Sequence, residues 1–389
     1  MGFFKRNRRI KVKLCVIGLF LAIFITFIIL RVNPDICEFW TLNFTQGYVM
    51  AVGSVNKYIP FSMSELVVFV LFSFGLTFLV MSIILLFKKR FIKSLNSFLN
   101  LGMIVFFVLA VYQTTAGMAY NRKPVNVPLY NQKVEKTEFK KIISWFIDDL
   151  NYCCEQLEFT SEGNLVEPYG ISKLDEVIEK EYLSYPEGYL FPWTTKTKPM
   201  ISSFVYLEFH ITGITCLPLG EANVNGMIVN AAKPYTICHE LAHTKGAMRE
   251  ADADLVSAYL CLNSSDPYVR YSGYYYTIGS AMEILKYTDN NGDYNEIYYK
   301  LHPDFRKNLA WNSAYWKAHN KWAEFANWIN DIYLKIMGTK DGTKDYGDSA
   351  TIVNPGTKEI TSFSSFQKVY FEKYYRIPVF YSSIRSIIK

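Results

Sequence analysis

The residues best suited to chemistry in this chain are in the string Cys238-His239-Glu240-Leu241-Ala242-His243. Histidines four apart on a helix project from one face, so His239 and His243 can grip one Zn²⁺ ion together. Glu240 lies within a turn of both, where it can take a proton from water that the ion has acidified. The chain has only five histidines, and the other three, His210, His302 and His319, are read as structural.

A hydrolytic zinc site needs a third protein ligand and an open position for water. His239 to Arg249 spells HExxHxxGxx followed by arginine, so the metzincin pattern fails where its last ligand belongs. The next residues, Glu250-Ala251-Asp252-Ala253-Asp254, fit the ExxxD helix pattern of gluzincins. Glu250 is then the third ligand, and Asp254 orients a ligating histidine through its ring N–H. Asp252 is a rival for both roles.

These residues require two consecutive helices. Pro234 is a favourable first helical residue and Gly246 a stop, and a second helix is predicted from about Arg249 to Leu262. Upstream, Thr137 to Leu157 places Phe139, Ile142, Phe146, Leu150 and Leu157 on one face, and Ser172 with Asp175 and Glu176 opens another amphipathic helix. Between Tyr185 and Asn230, prolines, glycines and short aromatic or β-branched runs predict a small β element. Tyr271 to Tyr287 and Asn308 to Met337 read as helices, the latter closed by Gly338, with Trp311, Tyr315, Trp316, Trp322, Phe325, Trp328 and Tyr333 as core or lid packing.

Half of the 389 residues are apolar, yet the mean hydropathy is only +0.07, so the apolar residues must be segregated. They fall in three runs, about 14–30, 66–87 and 98–119, each near the roughly 20 residues that cross a hydrocarbon core. The net charge of +6 comes from two clusters bordering these runs, Lys5 to Lys13 and Lys88 to Lys93. That pattern fits membrane topology and speaks against nucleic acid as a partner. It puts 1–13 in the cytoplasm as a basic N-terminus, 14–119 in the lipid bilayer, and 120–389 outside as an extracytoplasmic domain. Residues around Thr41 are read as an external loop. The spans carry few ionisable groups, which argues against a transporter. Asn100, Gln113, Thr114 and Thr115 are read as hydrogen bonds between spans. Seven cysteines show no zinc-ribbon spacing and are expected to be mostly buried thiols, with room for one disulfide.

The segments Gly220-Glu221-Ala222-Asn223-Val224-Asn225, Pro234 to His243 and Arg249-Glu250 resemble those of the bacterial membrane proteins catalogued as domain of unknown function 3810. Trp328 to Leu334 and Asp341 to Gly347 are similar to that family's tail. The resemblance implies three spans followed by a mainly α, gluzincin-like external domain. Asp254 departs from it, falling where an asparagine is common. Gluzincins set a strand edge beside the active-site helix for pairing with an extended substrate. Glu221, Asn223 and Asn225 are the candidates for substrate binding there; a tight turn fixed by asparagine side chains is the other reading.

The expected function is that of a membrane-anchored zinc metalloendopeptidase in the cell membrane, acting on polypeptide near the outer membrane surface with one Zn²⁺ as cofactor and Glu240 as general base. Tyr346, His302 and His319 are candidates to stabilise the oxyanion. The alternative is a non-catalytic receptor or scaffold, in which the zinc is structural or the peptidase fold binds peptide without cutting it.

Overall fold

The computed structural model describes residues 7–125, 136–184, 189–285, 292–337, 352–353, 360–362 and 364–375. Tyr346, Gly338 and the stretch Asp341 to Gly347 lie outside them. The chain is mainly helical and divides into two units, one comprising Met1–Lys123 with Cys216–Glu221, the other Pro124–Thr215 with Ala222–Lys389.

The N-terminal unit runs α1 (Arg8–Leu30), α2 (Pro34–Trp40), α3 (Gln46–Asn56), α4 (Met63–Phe87) and α5 (Phe91–Tyr120). Helices α1, α4 and α5 are long and apolar enough to cross a membrane, and each contains one expected span. Their outward side chains, such as Leu19, Phe72 and Phe87, are more than half exposed. An apolar surface of this extent needs lipid as its solvent, which marks the chain as a membrane protein.

Two expectations need correction. Residues 34–56 form two helices joined by a π-helical turn at Thr41–Thr45, whereas a loop was expected around Thr41. The start signal is Asn33, whose side chain accepts from the Asp35 and Ile36 amides, with Pro34 next. Furthermore, the Thr114 and Thr115 hydroxyls bond back to their own helix at Ala110 and Val111. Contact between spans is instead made by serines: Ser94 Oγ donates to Ser82 O at 2.7 Å, and Ser97 Oγ to Phe78 O at 2.8 Å. Gln113 does make the expected type of bond, accepting from Arg31 at 3.3 Å.

In the C-terminal unit the order is α6 (Lys136–Glu155), α7 (Ile171–Leu183), β1 (Thr197–Pro199), α8 (Ser203–Glu208), β2 (Gly213–Cys216), β3 (Glu221–Val224), α9 (Lys233–Thr244), α10 (Glu250–Asn263), α11 (Pro267–Ile284), α12 (Gly292–Lys300), α13 (Pro303–Ala318), α14 (Ala323–Met337), β4 (Ile352–Val353), β5 (Ile360–Ser362) and α15 (Ser365–Tyr375). A three-stranded sheet has the order β1-β3-β2, with β1 parallel to β3 in the register Thr197↔Ala222. Strands β2 and β3 are joined by four residues, too few for a parallel crossover, so they form a hairpin with β2 at the edge.

The core of this unit is built from helix faces at i, i+3 and i+4 spacing. Ile142, Phe146, Leu150 and Cys153 of α6 are fully buried in one apolar cluster with Tyr271 and Tyr274 of α11, the Phe146 ring meeting Tyr274 edge-on at 4.7 Å. Helix α7 starts at Ile171, and Asp175 is turned inward, accepting the Thr197 amide at 2.8 Å; the expected start at Ser172 therefore lies inside the helix. Trp311, Tyr315 and Trp316 pack against the core, whereas Trp322, Phe325 and Trp328 are exposed. All seven cysteines are free thiols.

Within the N-terminal unit, Glu221 is 1% exposed. Its carboxylate accepts from the Ser64 amide at 2.9 Å, the Met63 amide at 3.1 Å, Ser62 Oγ at 3.2 Å and Asn56 Nδ2 at 2.8 Å. It thus caps the positive N-terminus of α4. Replacing Glu221 with alanine removes the acceptor for several buried donors and is expected to cost about 2 kcal/mol. Thermal unfolding in detergent checks this: an unchanged midpoint would show that the cap does not stabilise the unit.

Candidate metal centre

Helix α9 carries His239 and His243 one turn apart, with ring centroids 4.6 Å apart. Its reverse side, Ile237, Cys238, Leu241 and Ala242, is fully buried, which fixes its rotation. The helix ends at Thr244, and Gly246, at φ +106°, supplies the left-handed residue that turns the chain into α10. Glu250 is the first residue of α10.

This turn brings the three expected ligands together. Glu250 Oε2 lies 3.0 Å from His239 Nε2 and 3.6 Å from His243 Nε2, and one ligand atom from each residue falls within 4.8 Å of the others. Atoms about 2 Å from a shared Zn²⁺ at tetrahedral angles lie roughly 3.3 Å apart, so the spacing suits one ion, and two imidazoles with a carboxylate are a donor set that zinc takes.

The opposite ring nitrogens are also held. His243 Nδ1 donates to Ala247 O at 2.8 Å, and His239 Nδ1 to Asp254 Oδ1 at 3.0 Å. Both bonds hold a proton on Nδ1 and turn Nε2 toward Glu250, where a bound cation would take its lone pair. Asp254 thus has the orienting position expected of it, and Tyr235 steadies it by donating to its main-chain oxygen at 3.0 Å. Asp252 is not a rival: its carboxylate accepts from the Val125 amide at 3.0 Å and the Tyr189 hydroxyl at 3.1 Å. On a helix, residues two apart point to nearly opposite sides.

Glu240 is 6% exposed. Thr215 Oγ1, from β2, lies 2.7 Å from Glu240 Oε2 and 2.9 Å from its main-chain oxygen. Gly213, on the same strand, permits this approach, since a Cβ there would sit 2.4 Å from Glu240 Oε1. Burial raises the pKa of Glu240, against the pull of His243, His239 and the Thr215 bond. Burial would lower that of His239, but Asp254 and Glu250 outweigh it and raise it well above the ordinary histidine value. Burial works upward on Glu250 too, yet His243 and His239 hold it well below the carboxylate range.

The cluster opens into a cavity of about 850 Å³, also lined by Tyr206, His210, Tyr276 and Tyr333. Of these His210 was read as structural; its Nε2 lies 3.3 Å from Trp316 O, and its backbone is left-handed at φ +56°. The expected oxyanion groups His302 and His319 do not line the cavity. His302 Nδ1 accepts the Asp304 amide at the start of α13, and His319 pairs with Glu208 at 2.9 Å. Glu221, Asn223 and Asn225 are absent from the lining as well. Asn223 Nδ2 donates to Ile214 O, Asn225 Nδ2 to Ile211 O, and Asn225 Oδ1 accepts the Met227 amide. These two asparagines brace the hairpin, and the strand edge at the cavity is β2, through Gly213 to Thr215. The sequence reading overlooked Thr215 and Gly213, 25 and 27 residues before Glu240, because no local pattern ties them to α9.

The family model described as "Protein of unknown function (DUF3810)" matches residues 41–353, and the chain belongs to that family. Comparison with curated proteins and with solved structures finds no match.

The shifted values give two expected outcomes. In the metal-free protein the imidazolium of His239 stabilises the fold fully below the ordinary histidine pKa and is lost as pH rises through its raised value. The Glu250 carboxylate contributes above the ordinary carboxylate pKa and is lost as pH falls through its depressed value. A divalent cation must displace the proton of His239, so its uptake is expected to release protons and to strengthen with rising pH; zinc titrations at several pH values, read by pH indicator, test this. Asp254→Asn is expected to weaken zinc affinity by about 10- to 100-fold, and competition with a chelator measures it. An affinity equal to wild type would remove Asp254 from the centre.

Proposed function

We propose that this protein is a membrane-anchored, zinc-dependent peptide hydrolase. The observation that carries the proposal is the shared placement of His239, His243 and Glu250 around one point, with the Glu240 carboxylate on the same cavity. The three ligands would hold one divalent cation, which when bound supplies Lewis acidity to polarise a carbonyl and acidify water.

The chain's own groups supply the rest. Glu240, held by Thr215 and buried, accepts the proton from the attacking water and returns it to the leaving amine. A purely structural zinc site has no use for such a group. Edge strand β2 offers main-chain pairing to an extended polypeptide, which favours a peptide over a compact amide. The tyrosine hydroxyls of the cavity wall are within the lining from which an oxyanion donor is drawn. The basic clusters at Lys5 to Lys13 and Lys88 to Lys93 favour a cytoplasmic N-terminus with the hydrolase outside the cell.

Glu240→Gln is expected to keep zinc and fold while lowering hydrolysis of an unfolded protein substrate by about 10²–10⁴-fold. Gly213→Ala is expected to retain zinc but lower turnover, because its methyl group displaces the Glu240 carboxylate. Metal content and turnover of full-length protein in detergent read both effects. Wild-type biological activity in Glu240→Gln would favour the receptor or scaffold reading instead.

A further inference from the structure

Helix α14 has two working flanks. One lines the cavity through Ala326, Asn327 and Asn330. The adjacent flank carries Trp322, just before the helix, then Phe325, Trp328, Ile329 and Ile332, at helical spacing along one side. Trp328 is 60% exposed and Trp322 53%. Just before the cavity-lining Val205 and Tyr206 of α8, Ile201 and Phe204 are also about two thirds exposed, at 66% and 64%. The two lips are joined: Trp322 N donates to Glu208 O at 3.0 Å, and the Trp322 ring stacks on Phe209 at 6.2 Å. Val205 and Ile329 belong to the exposed surface and to the cavity wall alike, so each lip carries an apolar side chain from outside into the cavity.

We propose that this lip is a docking surface for the lipid bilayer, through which the cavity receives membrane-associated polypeptide. The occupant follows from two features. Helices α1, α4 and α5 of the same chain make it a membrane protein, so a bilayer is permanently within tether reach at high effective concentration. The exposed flank is rich in tryptophan and phenylalanine, the side chains suited to the headgroup boundary. Docking also deepens the hydrolase proposal and rests on it for the substrate class: peptide segments emerging from, or anchored in, lipid.

The test uses full-length protein reconstituted into vesicles of phosphatidylethanolamine and phosphatidylglycerol, part of the lipid being replaced by phosphatidylcholine brominated on its acyl chains. Bromine quenches only tryptophans that reach the bilayer. Quenching is expected to be greater for wild type than for Trp322→Phe/Trp328→Phe, and Trp145→Phe, which removes an exposed tryptophan on α6, is expected to leave the contribution of these two intact. Equal quenching in wild type and the double variant overturns the proposal, as it would if a second copy of the chain or a soluble peptide covered the lip. Glu240→Gln is expected to quench like wild type. Loss of hydrolysis with normal quenching would thus leave docking standing, and loss of quenching with normal hydrolysis would remove docking alone.

Discussion

The candidate centre depends on one carboxylate being held between two imidazoles. Glu250 is buried, and an ionised carboxylate in that position is costly unless it is paired. His239 and His243 provide the pairing, and their outer ring nitrogens are held in turn by Asp254 and the Ala247 carbonyl. Remove any one of these and the remaining charges are left without compensation in a poorly solvated place. The arrangement is therefore cooperative, and it requires α9 and α10 to keep a fixed register against each other.

That register comes from apolar packing. The sides of α9 and α10 that face away from the cavity are small or aliphatic and almost entirely buried: Ile237, Leu241 and Ala242 on one, Ala253, Val256, Ala258 and Leu262 on the other. Small residues at the contact let the helices approach closely, and close packing turns a nudge at the core into a displacement of the ligands. The β hairpin adds the third side. Its edge strand steers Glu240 through a hydroxyl, and the glycine two residues earlier leaves space for the carboxylate.

How much of this was legible in the sequence follows from the range of each interaction. Three apolar spans, the α9–Gly246–α10 plan and the i, i+4 relation of the histidines are local patterns, and each has its place in the fold. Helix geometry puts Glu250 and Asp254 on a face that Asp252 does not share, but which face meets the histidines is settled by the Val125 and Tyr189 bonds that hold Asp252 elsewhere. The roles of Thr215, Gly213 and the bracing asparagines depend on how a hairpin lies across a helix, which no short-range periodicity encodes. Glu221 misled for a related reason: an acidic residue beside a motif suggests chemistry, yet its carboxylate caps α4. Helices α2 and α3 were hidden by the π-helical turn between them, which interrupts the usual spacing. His210 looked unremarkable because its left-handed backbone and its position at the cavity are properties of the folded chain.

The turn between the two helices behaves as a gauge of length. Its Ala247 carbonyl aims one imidazole, its glycine reverses the backbone, and its last residue delivers the first carboxylate of α10. Its side chains are themselves engaged: Lys245 pairs with Glu179 at 3.0 Å and Met248 lines the cavity. Insertion or deletion of a single residue would rotate everything downstream by about 100° of helical phase, so that Glu250 turned away from His239 and His243 in a chain that still carried all three.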